Sequence, residues 1–315
     1  MPGNGLVNRN NTGNVEGKGV SIMKKILVVG KGGFVGTSFA NYMKKFKDKY
    51  ELTFISSMNH EWEKISFSGY DAVYNASGLA HANAKDGTDD LYYEVNGKLP
   101  GEIATKAKAE GVPVYISMSS AIIYGDMSNV GIKKIITKET EASPEGIYGK
   151  SKIMGEEMVT QLADDKFHTA IIRPPMIYSE YAPENFELLC KFAVKSPIFP
   201  KLYNEQSMIY ADNLCELLRL IIDNQAGGIY YPQEKEFIHT SKLVKDISYA
   251  SGKRMLITGI FNPILKKMSG RVRFVRKAFG NVIYDKSLSN HFDWEYCVVP
   301  YEETVRRIAK RYGNK

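Results

Sequence analysis

The stretch VVGKGGFVG, residues 28–36, follows a run of apolar residues and precedes a segment with helical spacing. Its glycines Gly30, Gly33 and Gly36 are spaced as in a strand–turn–helix unit that binds a dinucleotide. The first permits a tight turn, the second lets the backbone approach a pyrophosphate, and the third allows close packing of the helix. The N-terminus of that helix faces the anion. The stretch therefore predicts a dinucleotide site rather than an ordinary glycine turn.

Short apolar runs alternate with longer amphipathic segments from Lys24 onward, which is typical of a doubly wound parallel sheet. The expected strands lie at residues 24–30, 51–56, 71–77, 112–119 and 168–174. The expected helices lie near residues 35–47, 91–110, 146–163 and 212–224. Asp212 is the expected N-cap of the last helix. Its expected buried face consists of Leu214, Leu217, Leu218 and Ile221.

The regular alternation fades after about residue 178, which indicates a second, smaller unit. We predict an α/β fold with a Rossmann-type sheet and a smaller C-terminal substrate-binding lobe. The dinucleotide-binding domain is assigned to residues 23–178 with about 205–232, and the lobe to residues 179–204 and 233–315. Sheets of this kind bind ligands at the carboxyl ends of their strands, where the lobe would close over the site.

The first 22 residues are rich in glycine and asparagine and have almost no apolar pattern, so we expect a disordered tail. The tail lacks the apolar core of a signal peptide, and no later segment has the roughly 18 uninterrupted apolar residues that span a bilayer. The three cysteines, Cys190, Cys215 and Cys297, are far apart in the sequence. This spacing argues against disulfides and against a metal site. We therefore expect a cytoplasmic protein without a structural metal.

The net charge of +7 suits anionic ligands in general. The first 250 residues nevertheless contain no basic run and no helix-turn-helix or zinc-finger spacing. We expect no nucleic-acid partner.

The residue that selects between NAD and NADP usually stands at the end of the second strand, about 20 residues after the glycine loop. An NAD site has a carboxylate there, whereas this chain has Ser56 and Ser57. No carboxylate would repel a 2′-phosphate, and Lys31 lies inside the glycine loop, so NADP(H) is at least as well supported as NAD. Lys31 is equally consistent with a solvated surface lysine.

Tyr148 and Lys152 are four residues apart in a segment with helical spacing, so they share one face of the helix. A free tyrosine has a pKa near 10, so service as a base near pH 7 needs a shift of roughly three units, or about 4 kcal/mol. A neighbouring ammonium and a nicotinamide cation both favour the phenolate. Such a pair alone is most often incidental. Here Ser119 and Ser120 end the fourth strand, where a hydroxyl can hold a substrate oxygen beside Tyr148.

Six ordered segments of the chain resemble the extended short-chain dehydrogenase/reductases, the NAD-dependent epimerase/dehydratase family. They are GxxGxxG at 30–36, NASGLAHA after the third strand, VNGKL at 95–99, SSAIIYG at 119–125, YxxxK at 148–152 and RPPMIY at 173–178. The resemblance covers most of residues 24–230 in the family's order and spacing. It implies an NAD(P)-dependent enzyme with a nucleotide-diphosphate sugar as substrate. It also implies a homodimer that pairs through the helices flanking YxxxK.

The resemblance implies roles for individual residues. Tyr148 would be the general acid/base, and Lys152 would lower the pKa of Tyr148 and bind the nicotinamide ribose. Ser120, or its neighbour Ser119, would orient the reacting sugar oxygen. The other implied contacts are Phe34, Val35, Ala76, Ser77, Asn96 and Pro174 for the cofactor and Asn185 for the substrate. Asn96 is also consistent with a helix-start cap, and Ser77 with a strand-end turn.

Members of the family share one half-reaction, in which hydride leaves or joins C4 of a nucleotide-linked sugar while the tyrosine moves the hydroxyl proton. The 4,6-dehydratases carry an Asp-Glu pair after the serine or threonine, and the GDP-fucose-synthase-like branch carries a cysteine there. This chain has Ala121 and Ile122 at those positions, which disfavours both reactions.

Two reactions at C4 therefore stay open, both in the supply of surface-polysaccharide precursors. The GLAHA and VNGKL segments favour a 4-epimerase like those of UDP-galactose, whereas the missing acidic selector favours an NADPH-dependent 4-ketoreductase. We favour the epimerase by a small margin. A non-catalytic dinucleotide-binding regulator is the alternative of another class, but a regulator needs only the glycine loop and not the serine, tyrosine and lysine.

The segment at 261–281, FNPILKKMSGRVRFVRKAFGN, interleaves basic and apolar residues. The resemblance implies that Arg271 or Arg273 grips the nucleotide diphosphate, since the guanidinium fork suits phosphate oxygens. A solvated helix with an apolar core face is the second interpretation. A membrane-surface segment attracted to anionic lipid, which would allow a lipid-linked sugar, is the least favoured.

Overall fold

A computed structural model describes residues 23–79, 89–125, 128–290 and 293–313 of the 315-residue chain. The predicted disordered tail and the end of the NASGLAHA segment lie outside these residues. The strands are β1 (Lys24–Val29), β2 (Tyr50–Ile55), β3 (Ala72–Asn75), β4 (Val114–Met118), β5 (Lys133–Ile136), β6 (His168–Ile172), β7 (Met176–Tyr178), β8 (Ile198–Pro200), β9 (Met208–Tyr210), β10 (Gly228–Tyr230), β11 (Leu256–Thr258) and β12 (Asn281–Tyr284).

The α-helices are α1 (Phe34–Met43), α2 (Asp89–Tyr92), α3 (Leu99–Ala109), α4 (Ile147–Thr160), α5 (Glu184–Lys195), α6 (Ala211–Asn224), α7 (Thr240–Ala250), α8 (Asn262–Ser269), α9 (Arg273–Phe279) and α10 (Tyr301–Gly313). A π-helical segment, Tyr93–Lys98, joins α2 to α3. Short 3₁₀ segments lie at Lys44–Phe46, Met58–Lys64, Ala121–Tyr124 and Lys286–Ser289.

Six strands form one parallel sheet in the order β10-β6-β4-β3-β1-β2. The five strands predicted from the sequence are all in it, and the α/β, doubly wound fold class is confirmed. The chain runs from β1 outward to β2 and then crosses to β3 on the other side of β1. The carboxyl ends of β1 and β3 therefore flank the point where the strand order reverses, and ligands bind at such a point in open α/β sheets.

Apolar side chains cover both faces of this sheet, as the apolar runs predict. Successive residues of β1 point to opposite faces: Ile26 and Val28 pack with residues of α1 and α6, whereas Leu27 and Val29 pack with residues of α3. A further cluster is built from α5, α7, α9 and α10, in the C-terminal half of the chain. The division of the chain into a domain and a lobe at the predicted boundaries stays a prediction.

Helix α6 differs from its prediction at the first turn. The helix begins at Ala211 and its N-cap is Tyr210, so the prediction of Asp212 as N-cap is wrong. Tyr210 is still extended as the last residue of β9, and the carboxylate of Asp212 pairs with Lys45 and Arg307 instead of capping a backbone amide. A negative charge in the first turn still suits the helix dipole. The four residues predicted for the apolar face are buried, as expected.

Helix α4 packs on the π-helical segment in near backbone contact. A Cβ added at Gly155 would lie 2.4 Å from the backbone oxygen of Asn96. On the opposing side, a Cβ added at Gly97 would lie 2.8 Å from the sulfur of Met154. The small residues let the two helical segments approach until their backbones touch, which fixes the position of α4 and of the residues on it. π-Helical segments are frequent at functional sites.

The variant Gly155→Ala should lose about 2 kcal/mol of unfolding free energy, because the Asn96 carbonyl cannot yield without moving the π-helical segment. Urea denaturation measures the change. Gly270→Ala is the matched control, since Gly270 has right-handed helical angles and its nearest contact would lie 4.0 Å away. Equal unfolding free energies for the two variants would contradict the close packing.

Candidate active site

The turn after β1 brings its backbone against the backbone that follows β3. Gly30 has φ +111°, and a Cβ added there would lie 2.6 Å from the amide nitrogen of Ser77. Only glycine fits both the angle and the space. Gly36 packs against the same turn, since its Cβ would lie 3.3 Å from the Gly30 oxygen. Gly33 is the N-cap of α1 and no described side chain caps the helix, so the first amide groups of α1 are available to an anion.

A cavity of about 420 Å³ begins at this turn and continues past the ends of β3, β4 and β6. Most of the residues predicted for the site line it. They are Gly33, Phe34, Val35, Ala76, Ser77, Ser119, Ser120, Tyr148, Lys152, Pro174 and Asn185. The carboxyl ends of parallel strands meet at one edge of the sheet, which is why residues so distant in sequence converge.

Four predicted residues lie elsewhere or are not described. Lys31 and Arg271 are exposed and do not line the cavity. The hydroxyl of Ser56, after β2, accepts a hydrogen bond from the Met58 amide at 3.0 Å. Arg273 begins α9, but its side chain lies outside the described part of the structure.

Tyr148 lies at the first turn of α4 and faces the cavity. Burial raises the pKa of Tyr148 to about 12, a hydrogen bond with Ser120 opposes this shift, and the nearby Tyr92 and Glu184 add to it. The ring of Tyr92 supports that of Tyr148 edge-on, with 6.3 Å between the centroids. Tyr148 is therefore a neutral phenol near pH 7 in the chain alone, which suits proton donation.

Lys152 follows Tyr148 by one helical turn and is buried. Its Nζ donates a hydrogen bond to the backbone oxygen of Met118, the last residue of β4, at 2.9 Å. The same Nζ lies 6.0 Å from the centroid of the Tyr148 ring. Burial lowers the pKa of Lys152 to about 8, and the carboxylate of Glu156 opposes that shift. The strand end thus holds the ammonium beside the tyrosine.

Glu156, one further turn along α4, is itself neutralised by an ion pair. The guanidinium of Arg173, just after β6, donates to both Glu156 oxygens, from Nε at 3.0 and 3.2 Å and from Nη2 at 2.5 Å. The same guanidinium donates to the hydroxyls of Tyr124 and Tyr231. Burying the pair is tolerated because nearly every charge finds a hydrogen-bond partner. This network anchors α4 to the end of β6 directly behind Lys152.

The two adjacent serines both line the cavity but differ in their partners. The Ser120 side chain accepts a hydrogen bond from the Ile122 amide at 3.3 Å, in addition to its bond with Tyr148. The Ser119 hydroxyl is buried and has no hydrogen-bond partner among the described residues. A buried hydroxyl without a partner carries a desolvation cost that a polar ligand would relieve.

Asn96 supports the site from behind. It lies inside the π-helical segment, so the helix-start interpretation is wrong. Its Oδ1 accepts from the Leu79 amide at 2.9 Å, and its Nδ2 donates to the Leu79 oxygen at 3.2 Å. Asn96 thereby holds the loop after β3 against the cavity. Ser77 forms the strand-end turn of its alternative interpretation, since its amide donates to Asn75 Oδ1 at 3.1 Å, and it also lines the cavity as a cofactor contact would.

Sequence reasoning missed two charged residues of the lining, Glu184 and Lys277. Glu184 begins α5 with φ +59°, a conformation that is unusual for a residue with a side chain. Lys277 lies on α9, six residues after Arg271 in the sequence, and brings a cation of this segment to the cavity. Glu184 belongs to no motif. Lys277 lies in the basic segment 261–281, but the sequence did not indicate which cation of that segment reaches the cavity.

Within the ranges that the structure describes, no helix is long and apolar enough to cross a membrane. Those same residues contain no group of three or more His, Cys, Asp or Glu placed to hold a metal ion.

Solved structures with this fold belong to enzymes that are named for different reactions. The UDP-glucuronic acid 4-epimerase from Bacillus cereus, in complex with NAD, is 14% identical; the match covers 91% of this chain and 96% of that one, with a TM-score of 0.67. The dTDP-glucose 4,6-dehydratase from Bacillus anthracis str. Ames, in complex with NAD, is 15% identical. The match covers 92% of this chain and 97% of that one, with a TM-score of 0.68. The dTDP-4-dehydrorhamnose reductase from the same organism, in complex with NADP, is 14% identical. The match covers 76% of this chain and 86% of that one, with a TM-score of 0.61.

At these identities the likeness establishes the fold and not the reaction. A comparison with curated protein sequences finds no significant match. The family comparison is more specific, since the model of the "NAD dependent epimerase/dehydratase family" matches residues 26–231 of the 315. That match includes the glycine turn, the serine pair and both Tyr148 and Lys152. The chain belongs to the NAD-dependent epimerase/dehydratase family.

Proposed function

We propose that the chain transfers hydride reversibly at C4 of a nucleotide-diphosphate sugar, with NAD or NADP as cofactor and Tyr148 as the acid/base. The observation that carries the proposal is the grouping of Tyr148 with Ser120 and the buried Lys152 in one cavity, which opens at the glycine turn. A regulator that only binds a dinucleotide has no need of this grouping.

The residues present fit a dinucleotide. The close approach at Gly30 and the uncapped start of α1 suit a pyrophosphate, and Phe34, Val35 and Ser77 would line its path into the cavity. When bound, the nicotinamide supplies the acceptor or donor of hydride. The neighbouring structures contain NAD or NADP. Ser56 adds no negative charge at the end of β2, so a 2′-phosphate would not be repelled there.

The proton is handled by this chain's own side chains. Tyr148, neutral near pH 7, would donate to the oxygen of a 4-keto group, and Ser120 would hold the same oxygen. In the opposite direction the phenolate must accept the proton of the 4-hydroxyl. A protonated Lys152, fixed by the Met118 oxygen, favours that phenolate by its charge. The unpartnered hydroxyl of Ser119 is a second group available to the sugar.

The residues beside this grouping favour reactions confined to C4. Ala121 and Ile122 line the cavity directly after Ser120 and offer no acid or base for the loss of water. We therefore propose a sugar-nucleotide 4-epimerase that serves surface-polysaccharide precursors, a choice supported by the resemblance of the GLAHA and VNGKL segments. The homodimer also stays a proposal.

A 4-ketoreductase is the second candidate, favoured by the raised pKa of Tyr148 and by the missing carboxylate after β2. The two candidates differ in their use of cofactor. We expect cofactor released from the purified protein to be NAD, and we expect 4-epimers of UDP-hexoses to interconvert without added nucleotide. An empty site with turnover only on NADPH and a 4-keto sugar would replace the epimerase with the reductase.

The variant Tyr148→Phe should lose turnover by about 10²- to 10⁴-fold, because it removes the transferable proton and keeps the ring. Cofactor binding, measured by fluorescence titration, should be nearly unchanged. Tyr249→Phe, which removes an exposed hydroxyl, is the control and should keep full activity. Normal turnover in Tyr148→Phe would exclude this residue as the acid/base.

The variant Glu184→Gln should move the pH dependence of kcat/KM to lower pH. The Glu184 carboxylate raises the pKa of Tyr148, so its neutralisation lowers that pKa and makes the phenolate available at lower pH. Glu187→Gln is the control on the same helix, because Glu187 pairs with Lys191 and does not line the cavity. A profile of Glu184→Gln that coincides with that of Glu187→Gln would show that Glu184 does not act on Tyr148.

A further inference from the structure

We propose that the surface formed by β11, α8 and their connection docks on an anionic lipid bilayer. This surface, named here the α8 face, consists of Leu256, Ile260, Phe261, Ile264 and Met268 with the cations Lys266, Lys267 and Arg271. On sequence alone, membrane contact ranked last among three interpretations of residues 261–281, and the proposal now favours it for the first half of that segment. The second-ranked interpretation required the apolar residues of 261–281 to face the core. Those of α9 do, whereas Phe261, Ile264 and Met268 in the first half of the segment are exposed.

Helix α8 turns Ile264 and Met268 toward solvent, whereas its Leu265 packs against the core. Its residues are all described, and Ser269 alone is buried. Ile264 is 59% exposed, and Ile260 and Leu256, on the preceding connection and strand, are 72% and 64% exposed. A run of apolar side chains on one exposed helix face is uncommon in a protein whose only contact there is water. The face therefore needs a partner that accepts apolar groups.

The chain segment that carries this face has charges of a single sign. Residues 253–284 contain no aspartate or glutamate. Their basic residues are Lys253, Arg254, Lys266, Lys267, Arg271, Arg273, Arg276 and Lys277. These eight basic residues exceed the net charge of +7 of the whole chain, so the rest of the chain is close to neutral. The partner must therefore be negatively charged as well as apolar.

The helical spacing places apolar and basic side chains next to one another. Ile264 and Met268 are four residues apart and share one side of α8. Lys267 follows Ile264 by three residues, and Arg271 follows Met268 by three, with its amide bonded to the Met268 oxygen at 2.9 Å. Lys266 and Lys267 are both exposed. Apolar side chains would enter the acyl boundary while the cations stay at the headgroups.

Other occupants fit this face less well. The tail at 1–22 has Glu16 as its single acidic residue beside Arg9 and Lys18, so it does not complement a basic surface. A second copy seated face to face would bring two cationic surfaces together. An anionic bilayer meets both requirements at once, since it offers an apolar interior beneath a negative surface.

Lipid binding would be measured by sedimenting the full chain with vesicles of phosphatidylcholine, alone or with phosphatidylglycerol. We expect binding to be at least about tenfold tighter to the anionic vesicles and to weaken as salt is raised, because each cation near the surface contributes. Equal binding to both kinds of vesicle, or binding to neither, would overturn the proposal.

Two variants locate the binding surface. Ile264→Ser combined with Met268→Ser, and separately Lys266→Glu combined with Lys267→Glu, should each abolish the preference for anionic vesicles. The control is Leu188→Ser with Phe192→Ser, an equally spaced pair on α5 that is 41% and 42% exposed. It should bind as the parent chain does. The thermal midpoint and the far-UV circular dichroism spectrum of each variant establish that it is folded.

Two results would overturn the assignment of the α8 face. One is unchanged lipid binding by folded forms of both α8 variants. The other is a lower sedimenting mass for the Ile264→Ser and Met268→Ser variant in the absence of lipid, because it would identify a second copy of the chain as the occupant.

Discussion

The rest of the site depends on the contact between the turn after β1 and the chain that leaves β3. Gly30 lies so close to Ser77 that a Cβ would fall 2.6 Å from a backbone nitrogen. This contact forms the end of the cavity at the point where the strand order reverses. The start of α1 faces that end of the cavity. Every side chain assigned to the reaction is placed relative to that cavity, because β4 and β6 end at the same edge of the sheet.

The proposed acid/base pair, Tyr148 and Lys152, depends on a second constraint, which is the position of α4. The backbone contact at Gly155 sets the distance of α4 from the π-helical segment, and the Arg173–Glu156 pair ties the helix to the end of β6. Lys152 is then buried against the Met118 oxygen, beside Tyr148. Burial pushes both residues toward their neutral forms. A bound nicotinamide cation would oppose that tendency at the tyrosine and so couple proton transfer to the presence of cofactor.

Local patterns in the sequence were enough to predict five of the six strands of the sheet, but not β10, and most of the residues that meet at the cavity. The five strands, the glycine turn and the face shared by Tyr148 and Lys152 each depend on residues close together in the chain. Contacts set by tertiary packing could not be predicted in this way. Asp212 has the composition of an N-cap, but the preceding strand carries Tyr210 into that position. Lys277 on α9 and Glu184 at the start of α5 reach the cavity through tertiary packing, which local spacing does not indicate.

The central claim is that hydride moves between C4 of the sugar and the nicotinamide. The most direct measurement offers the purified protein a UDP-hexose deuterated at C4, without added nucleotide, and follows the label by mass spectrometry and NMR. The account predicts the opposite 4-epimer with deuterium retained at C4, or deuterium on the nicotinamide. Conversion with loss of the deuterium to water would contradict it, because that outcome requires a proton transfer at C4 instead of a hydride transfer.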